Sequence, residues 1–137
     1  MKALNDNQKI TEFSDIKIID NFFTEECLNI LKVRVLFCKY FDNQYKSYVA
    51  TNYCPGQDYL TDIITKEIHN KYVLPKFIRG WSFVYFKNDE GVHMHADPSI
   101  VNLNVWVSSD ASVFDSSKNG LNIYKIMPPK NWTRKDW

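Results

Sequence analysis

The apolar pattern of this chain changes period at Gly80. Before it, Leu28, Leu31 and Val35, and then Leu60, Ile63, Ile64 and Ile68, recur three and four residues apart, which is helical spacing. After it, Trp81-Ser82-Phe83-Val84-Tyr85-Phe86 is strongly β-prone. Val101, Leu103, Val105 and Val107 then alternate with Asn102, Asn104 and Trp106 at the period of two that a strand requires. Leu121 to Met127 reads as a further strand. Two helices followed by a run of antiparallel strands is the α+β pattern. The 137 residues are expected to form one domain with a modest core. Residues 1–79 form its helical support and residues 80–137 its sheet.

The helix limits follow from local chemistry. Thr24 is a good N-cap with Glu25 and Glu26 in the first turn, and the helix it starts runs to about Val35. The second helix starts near Asp58, and Leu74-Pro75 closes that region because the residue before proline avoids helical geometry. Asp15 to Asp20 alternates as a short strand, and the polar residues 1–14 are expected to be loosely held. Residues 37–54 read equally as strand or loop, and Pro55-Gly56 interrupts them. The helices are expected to cover an apolar sheet face built from residues such as Met94, Leu103 and Val105. The other face would then line a cavity.

Charge and cysteine usage exclude several classes. Seventeen basic and sixteen acidic residues, with no basic stripe, argue against nucleic acid as a partner. Cys27, Cys38 and Cys54 form no Cys-x-x-Cys pair, and they read as reduced thiols of a cytoplasmic protein. No stretch approaches the roughly 20 apolar residues of a membrane span, and Met1 to Thr11 has no apolar signal core, so no membrane role is expected. The 15% aromatic content is expected to lie mainly in the core.

The chemistry is concentrated in Gly91-Val92-His93-Met94-His95-Ala96-Asp97-Pro98. On a strand, His93, His95 and Asp97 share one face. Imidazole and carboxylate together are the donor set of redox-active non-haem iron. Alternate strand residues lie roughly 6.5–7 Å apart, so His93 and Asp97 are about 13 Å apart and one metal does not take all three. On this ground either neighbouring pair, His93 with His95 or His95 with Asp97, is a candidate for the ligands; the bland alternative is a polar strand end feeding a turn. His69, late in the second helix, reads as a favourable cation at a helix C-terminus. No Gly-x-Ser-x-Gly elbow supports a nucleophilic mechanism. Asp110 and Asp115 lack the spacing of a calcium loop and read as turn caps.

About a third of the chain resembles the 2-oxoglutarate- and Fe(II)-dependent oxygenases, in a prolyl-hydroxylase-like, bacterial and phage-type branch. The resemblance rests on Trp81, on Gly91-x3-His95-Ala96-Asp97-Pro98 and on Val101-Asn102-Leu103-Asn104-Val105-Trp106-Val107. It extends over Ser109-Asp110-Ala111, Asp115 and Gly120-Leu121-x2-Tyr124, with a fainter match at Ile18 to Cys27. It implies an incomplete double-stranded β-helix, or jelly roll, of which residues 80–137 would be the first half. It implies Fe(II) and 2-oxoglutarate as cofactors, His95 and Asp97 as two ligands of a facial triad, and Tyr85 and Asn104 as contacts for 2-oxoglutarate. A small molecule or a protein side chain would be hydroxylated.

The chain departs from the family in one respect. The family's third ligand is a later histidine followed by a basic residue, and no histidine follows Asp97 here. A truncated member, a degenerate one, or one completed by a partner chain all fit that pattern. A non-catalytic β-domain kept for binding or assembly is the alternative class. A cupin-like metal site is another, from His93-x-His95, though no glutamate follows before Gly120. Open sheet edges in such an incomplete roll predict self-association.

Overall fold

The computed structural model describes residues 1–37, 43–45, 47–86, 92, 95, 97, 99–113, 120–124, 129 and 131. Among these residues it is a mixed α and β structure with two helices and two small antiparallel sheets, neither of which closes into a barrel.

The chain opens with a hairpin of β1 (Lys9–Phe13) and β2 (Ile16–Asp20), with Phe13 opposite Ile16. The two-residue turn needs a positive φ to match the strand twist, and Ser14 supplies it at 53°. The first helix, α1 (Glu25–Leu36), is capped by Thr24, whose Oγ1 accepts from Cys27 N at 3.2 Å and donates to Lys2 O at 2.9 Å. The second, α2 (Tyr59–Tyr72), is capped by Asp58, which accepts from Thr61 N at 2.9 Å. Thr24 caps α1 as the sequence predicts, and α2 starts at the expected Asp58, whose role as its cap is a finding of the structure. A three-stranded sheet of order β3-β4-β5 is formed by β3 (Asn43–Gln44), β4 (Tyr48–Tyr53) and β5 (Gly80–Tyr85). That resolves part of the ambiguous stretch 37–54 as strand.

The amino-terminal residues are not loose. Ala3 is fully buried and Leu4 is 4% exposed. Leu4 bridges Phe23, Ala3 O accepts from Thr24 N at 2.8 Å, and Phe22 O accepts from Asn5 N at 3.0 Å. The Glu67 carboxylate on α2 accepts from Ala3 N and Leu4 N at 3.0 Å, and Lys71 Nζ donates to Asn5 O at 3.1 Å. These partners lie more than sixty residues away in sequence, so a local reading of polarity does not reach them.

The core gathers Ala3, Leu4, Phe23, Cys27, Ile64 and Ile68, with Leu28, Leu31 and Leu60 packed against it. It therefore lies between the amino-terminal segment and the two helices. This corrects the expectation that the helices cover a sheet face built from Met94, Leu103 and Val105. Leu103 and Val105 are 48% and 41% exposed, and Met94 lies outside the described residues.

The expected strands beyond Tyr85 are also corrected. Residues 101–107 and 121–124 form no strand, and among the described residues beyond Phe86 the sole regular element is one 3-10 turn, Asp110–Ser112. Alternation prepares a segment for a sheet, but a strand exists only where a neighbour takes its backbone hydrogen bonds.

Candidate functional site

His95 and Asp97 stand in irregular backbone, not on a strand. Ser99 N donates to Asp97 O at 2.8 Å, which turns the chain at that point. His95 Nε2 lies 3.5 Å from Asp97 Oδ1. Their side chains are 46% and 30% exposed, so water reaches both.

Two donors on adjacent positions of one metal, each at roughly 2.1 Å, lie about 3 Å apart. The His95–Asp97 spacing fits two such positions with little movement. A third donor is not brought in: among the described residues no group of three His, Cys, Asp or Glu side chains is placed to hold a metal ion. His93 and Asp115 lie outside the described residues. His69 is exposed in the last turn of α2, the position expected for it.

The two residues expected to contact 2-oxoglutarate sit in different surroundings. Asn104 is exposed in the irregular segment 101–107. Tyr85 ends β5 and joins an aromatic cluster, its ring centroid 5.3 Å from Tyr48 and 6.3 Å from Phe83. Burial, and then the neighbouring Tyr48, push the Tyr85 phenol above its ordinary range. Tyr48 is pushed the same way by burial and by Tyr45. Both hydroxyls therefore stay protonated, as a hydrogen-bond donor to a carboxylate must be.

Sequence reasoning missed a second polar constellation, where α1 meets the start of α2. Arg34 Nη2 lies 2.6 Å from Asp58 Oδ1, and the guanidinium sits 5.7 Å from the centre of the Tyr53 ring. Arg34 Nε is buried with no hydrogen-bond partner among the described residues. Asp58 thus serves as helix cap and counter-ion together. Its position was legible as the start of a helix, whereas its cap and its ion pair with a residue of the preceding helix were not.

Comparison of the chain with protein-family models, with curated proteins and with solved structures gave no match.

Proposed function

We propose that the chain is a member of the 2-oxoglutarate- and Fe(II)-dependent oxygenase class, built on part of a jelly roll, in which His95 and Asp97 hold the iron. The observation that carries this reading is the 3.5 Å approach of His95 Nε2 to Asp97 Oδ1 at a water-accessible turn. Iron with 2-oxoglutarate supplies the oxidation of a C–H bond in this class. The chain's own residues bind and orient. His95 offers an imidazole nitrogen and Asp97 a carboxylate oxygen to one ion. The Tyr85 hydroxyl and the Asn104 amide donate to the carboxylates of 2-oxoglutarate.

The test is Fe(II) binding to the full chain under anaerobic conditions, followed by calorimetry. His95→Ala and Asp97→Ala should each weaken binding by more than about 100-fold, because even changes one shell further out cost about 10–100-fold. With 2-oxoglutarate added, the weak visible charge-transfer band of the class should appear, and succinate should form in air. Binding that is the same in wild type and in both variants ends the metal reading.

A second reading is a non-catalytic β-domain kept for binding. The aromatic side chains left open on the three-stranded sheet favour it, since Trp81, Phe83 and Tyr85 are 38–50% exposed. Under that reading His95→Ala leaves every binding property of the chain unchanged.

A further inference from the structure

We propose that the connection between α2 and β5, residues 73–79, attaches the chain to a membrane surface carrying anionic lipid, with Val73 and Ile78 entering the headgroup layer and Lys76 and Arg79 meeting its charge. Charge is segregated along this part of the chain. From Ile68 to Phe86 there is no aspartate or glutamate, while Lys71, Lys76 and Arg79 are basic. Lys76 and Arg79 are exposed. The ion pairs among the described residues join Lys2 to Asp6, Lys17 to Glu12, Arg34 to Asp58 and His95 to Asp97, and neither Lys76 nor Arg79 enters any of them. Arg79 lies instead over the Trp81 ring, 4.6 Å from its centre. Both cations therefore face water with their charge unspent.

Apolar side chains stand between them at the surface. Val73 is 86% exposed and Ile78 71%. Val73 also holds a left-handed backbone, with φ 52°, at the helix C-cap. A β-branched residue there costs the isolated chain twice, once in backbone strain and once in apolar surface left in water. The second cost is recovered when the side chain enters an apolar layer. An outlier of this kind points to a use for the side chain it displays.

Aliphatic side chains beside cations select lipid over other anionic polymers. A nucleic acid offers phosphates to Lys76 and Arg79, but single strands are held by stacking on aromatic rings, and Val73 and Ile78 have none. The backbone sets the depth. Residues 73–79 lie in no helix or strand, so their polar groups need water and the segment stays at headgroup level, outside the hydrocarbon. No helix of the described residues is long and apolar enough to cross a membrane. The expectation of no membrane role rested on the lack of a span, and a surface contact needs none. Neither His95 nor Asp97 takes part.

Sedimentation of the full chain with vesicles tests this, using phosphatidylcholine alone and phosphatidylcholine mixed with phosphatidylserine. Wild type should bind the mixed vesicles, release them as salt is raised, and bind phosphatidylcholine alone at least about tenfold more weakly. The double variant Lys76→Gln, Arg79→Gln should weaken binding about 25-fold, about fivefold for each charge. Ile78→Asn should weaken it about tenfold. Val73→Gly should weaken it too while leaving the fold at least as stable, which separates lost contact from lost structure. Lys17→Gln removes one charge from the β1-β2 hairpin and should leave binding in place. A chain that binds neither vesicle overturns the proposal, as does equal binding to both. Binding that Lys17→Gln weakens as much as Lys76→Gln alone overturns it, because net charge and not this segment would then be responsible. Binding to a single-stranded oligonucleotide that Lys76→Gln weakens, with none to vesicles, gives the cations to nucleic acid and overturns it as well.

Discussion

The Glu67 carboxylate lies 3.0 Å from the backbone nitrogens of both Ala3 and Leu4, and so fastens the start of the chain to the middle of α2. The two amides point into a site where Ala3 has no exposed surface. Without the carboxylate they lose their acceptor and keep the cost of leaving water. Glu67→Ala should therefore destabilise the fold by about 2–3 kcal/mol, the range for hydrogen bonds to a charged group left unmade. Glu67→Gln keeps one acceptor oxygen and should cost about half as much. Urea unfolding followed by circular dichroism measures both, and a Glu67→Ala effect below about 0.5 kcal/mol would put it among ordinary surface substitutions.

Arg34 and Asp58 separate a cap from a charge. Asp58→Ala removes the acceptor for Thr61 N and the partner of Arg34 together. It should cost about 2 kcal/mol, the upper end for a lost N-cap. Asp58→Asn keeps a capping oxygen and loses the ion pair, in which Arg34 is 36% and Asp58 8% exposed, so it reports the charge apart from the cap. Its cost should be smaller than that of Asp58→Ala. Equal costs would show that the charge, not the cap, holds the start of α2.

Val73 carries a left-handed backbone, with φ 52°, at the C-terminal end of α2. A β-branched residue is a poor occupant of that region, where glycine is usual. Its side chain is 86% exposed, so little packing is lost on removing it. Val73→Gly should stabilise the fold by roughly 1 kcal/mol, the lower end of the left-handed penalty. Scanning calorimetry should show Tm rising by about 4 °C for a chain of this size. A fall in Tm would mean that Val73 packs in solution against something that favours its strained backbone.

How far the sequence is legible depends on how local each signal is. Thr24 was readable as a cap, and Asp58 as the start of a helix, because a cap is a contact between near neighbours in sequence. The stripe Ile64–Ile68 was readable for the same reason. The strand β1 was not, since all five of its residues are exposed and Ser14-Asp15 lacks the usual glycine turn signal. Nor was the docking of Ala3 and Leu4, which depends on Glu67 far along the chain. Val101, Leu103 and Val105 show the converse: the alternation is real, but no local rule supplies the strand that must pair with it. At the candidate site the donors His95 and Asp97 were legible as residue types. They stand 3.5 Å apart in irregular backbone rather than on the strand that was expected.

Tyr48, Tyr72 and Tyr85 make the fold sensitive to alkali. Burial raises all three phenols above the ordinary value of 10.0; Tyr48 also feels Tyr45, Tyr85 also feels Tyr48, and the bond to Gln8 partly opposes the rise at Tyr72. A group whose folded pKa exceeds its unfolded value contributes stability that is complete below the unfolded pKa and is lost as pH rises through the folded one. Stability should therefore be flat up to about pH 9.5 and fall as the pH passes 10 and rises further. Spectrophotometric titration should show a phenolate fraction appearing later in the native chain than in denaturant. Tyr85→Phe should shrink that late fraction. A native titration that overlays the denatured one removes this source of alkaline instability.

Cys27 and Cys54 should differ sharply toward a thiol reagent. Cys27 has no exposed surface, and burial first, then Glu67 and Glu26, push its thiol up. The thiolate is the reactive form, so both access and ionisation protect it. Cys54 is only partly buried. In a Cys38→Ser background, peptide mapping after brief iodoacetamide treatment should find Cys54 modified and Cys27 intact. Cys27 should react at the rate at which the segment over it opens, since local opening governs access to buried groups. Ala3 and Leu4 belong to the same buried cluster as Cys27 and are fastened by Glu67. Glu67→Gln should accordingly speed modification of Cys27 and leave Cys54 unchanged. Equal acceleration at both thiols would mean that the substitution loosens the whole fold, and no acceleration would mean that the segment is held without Glu67.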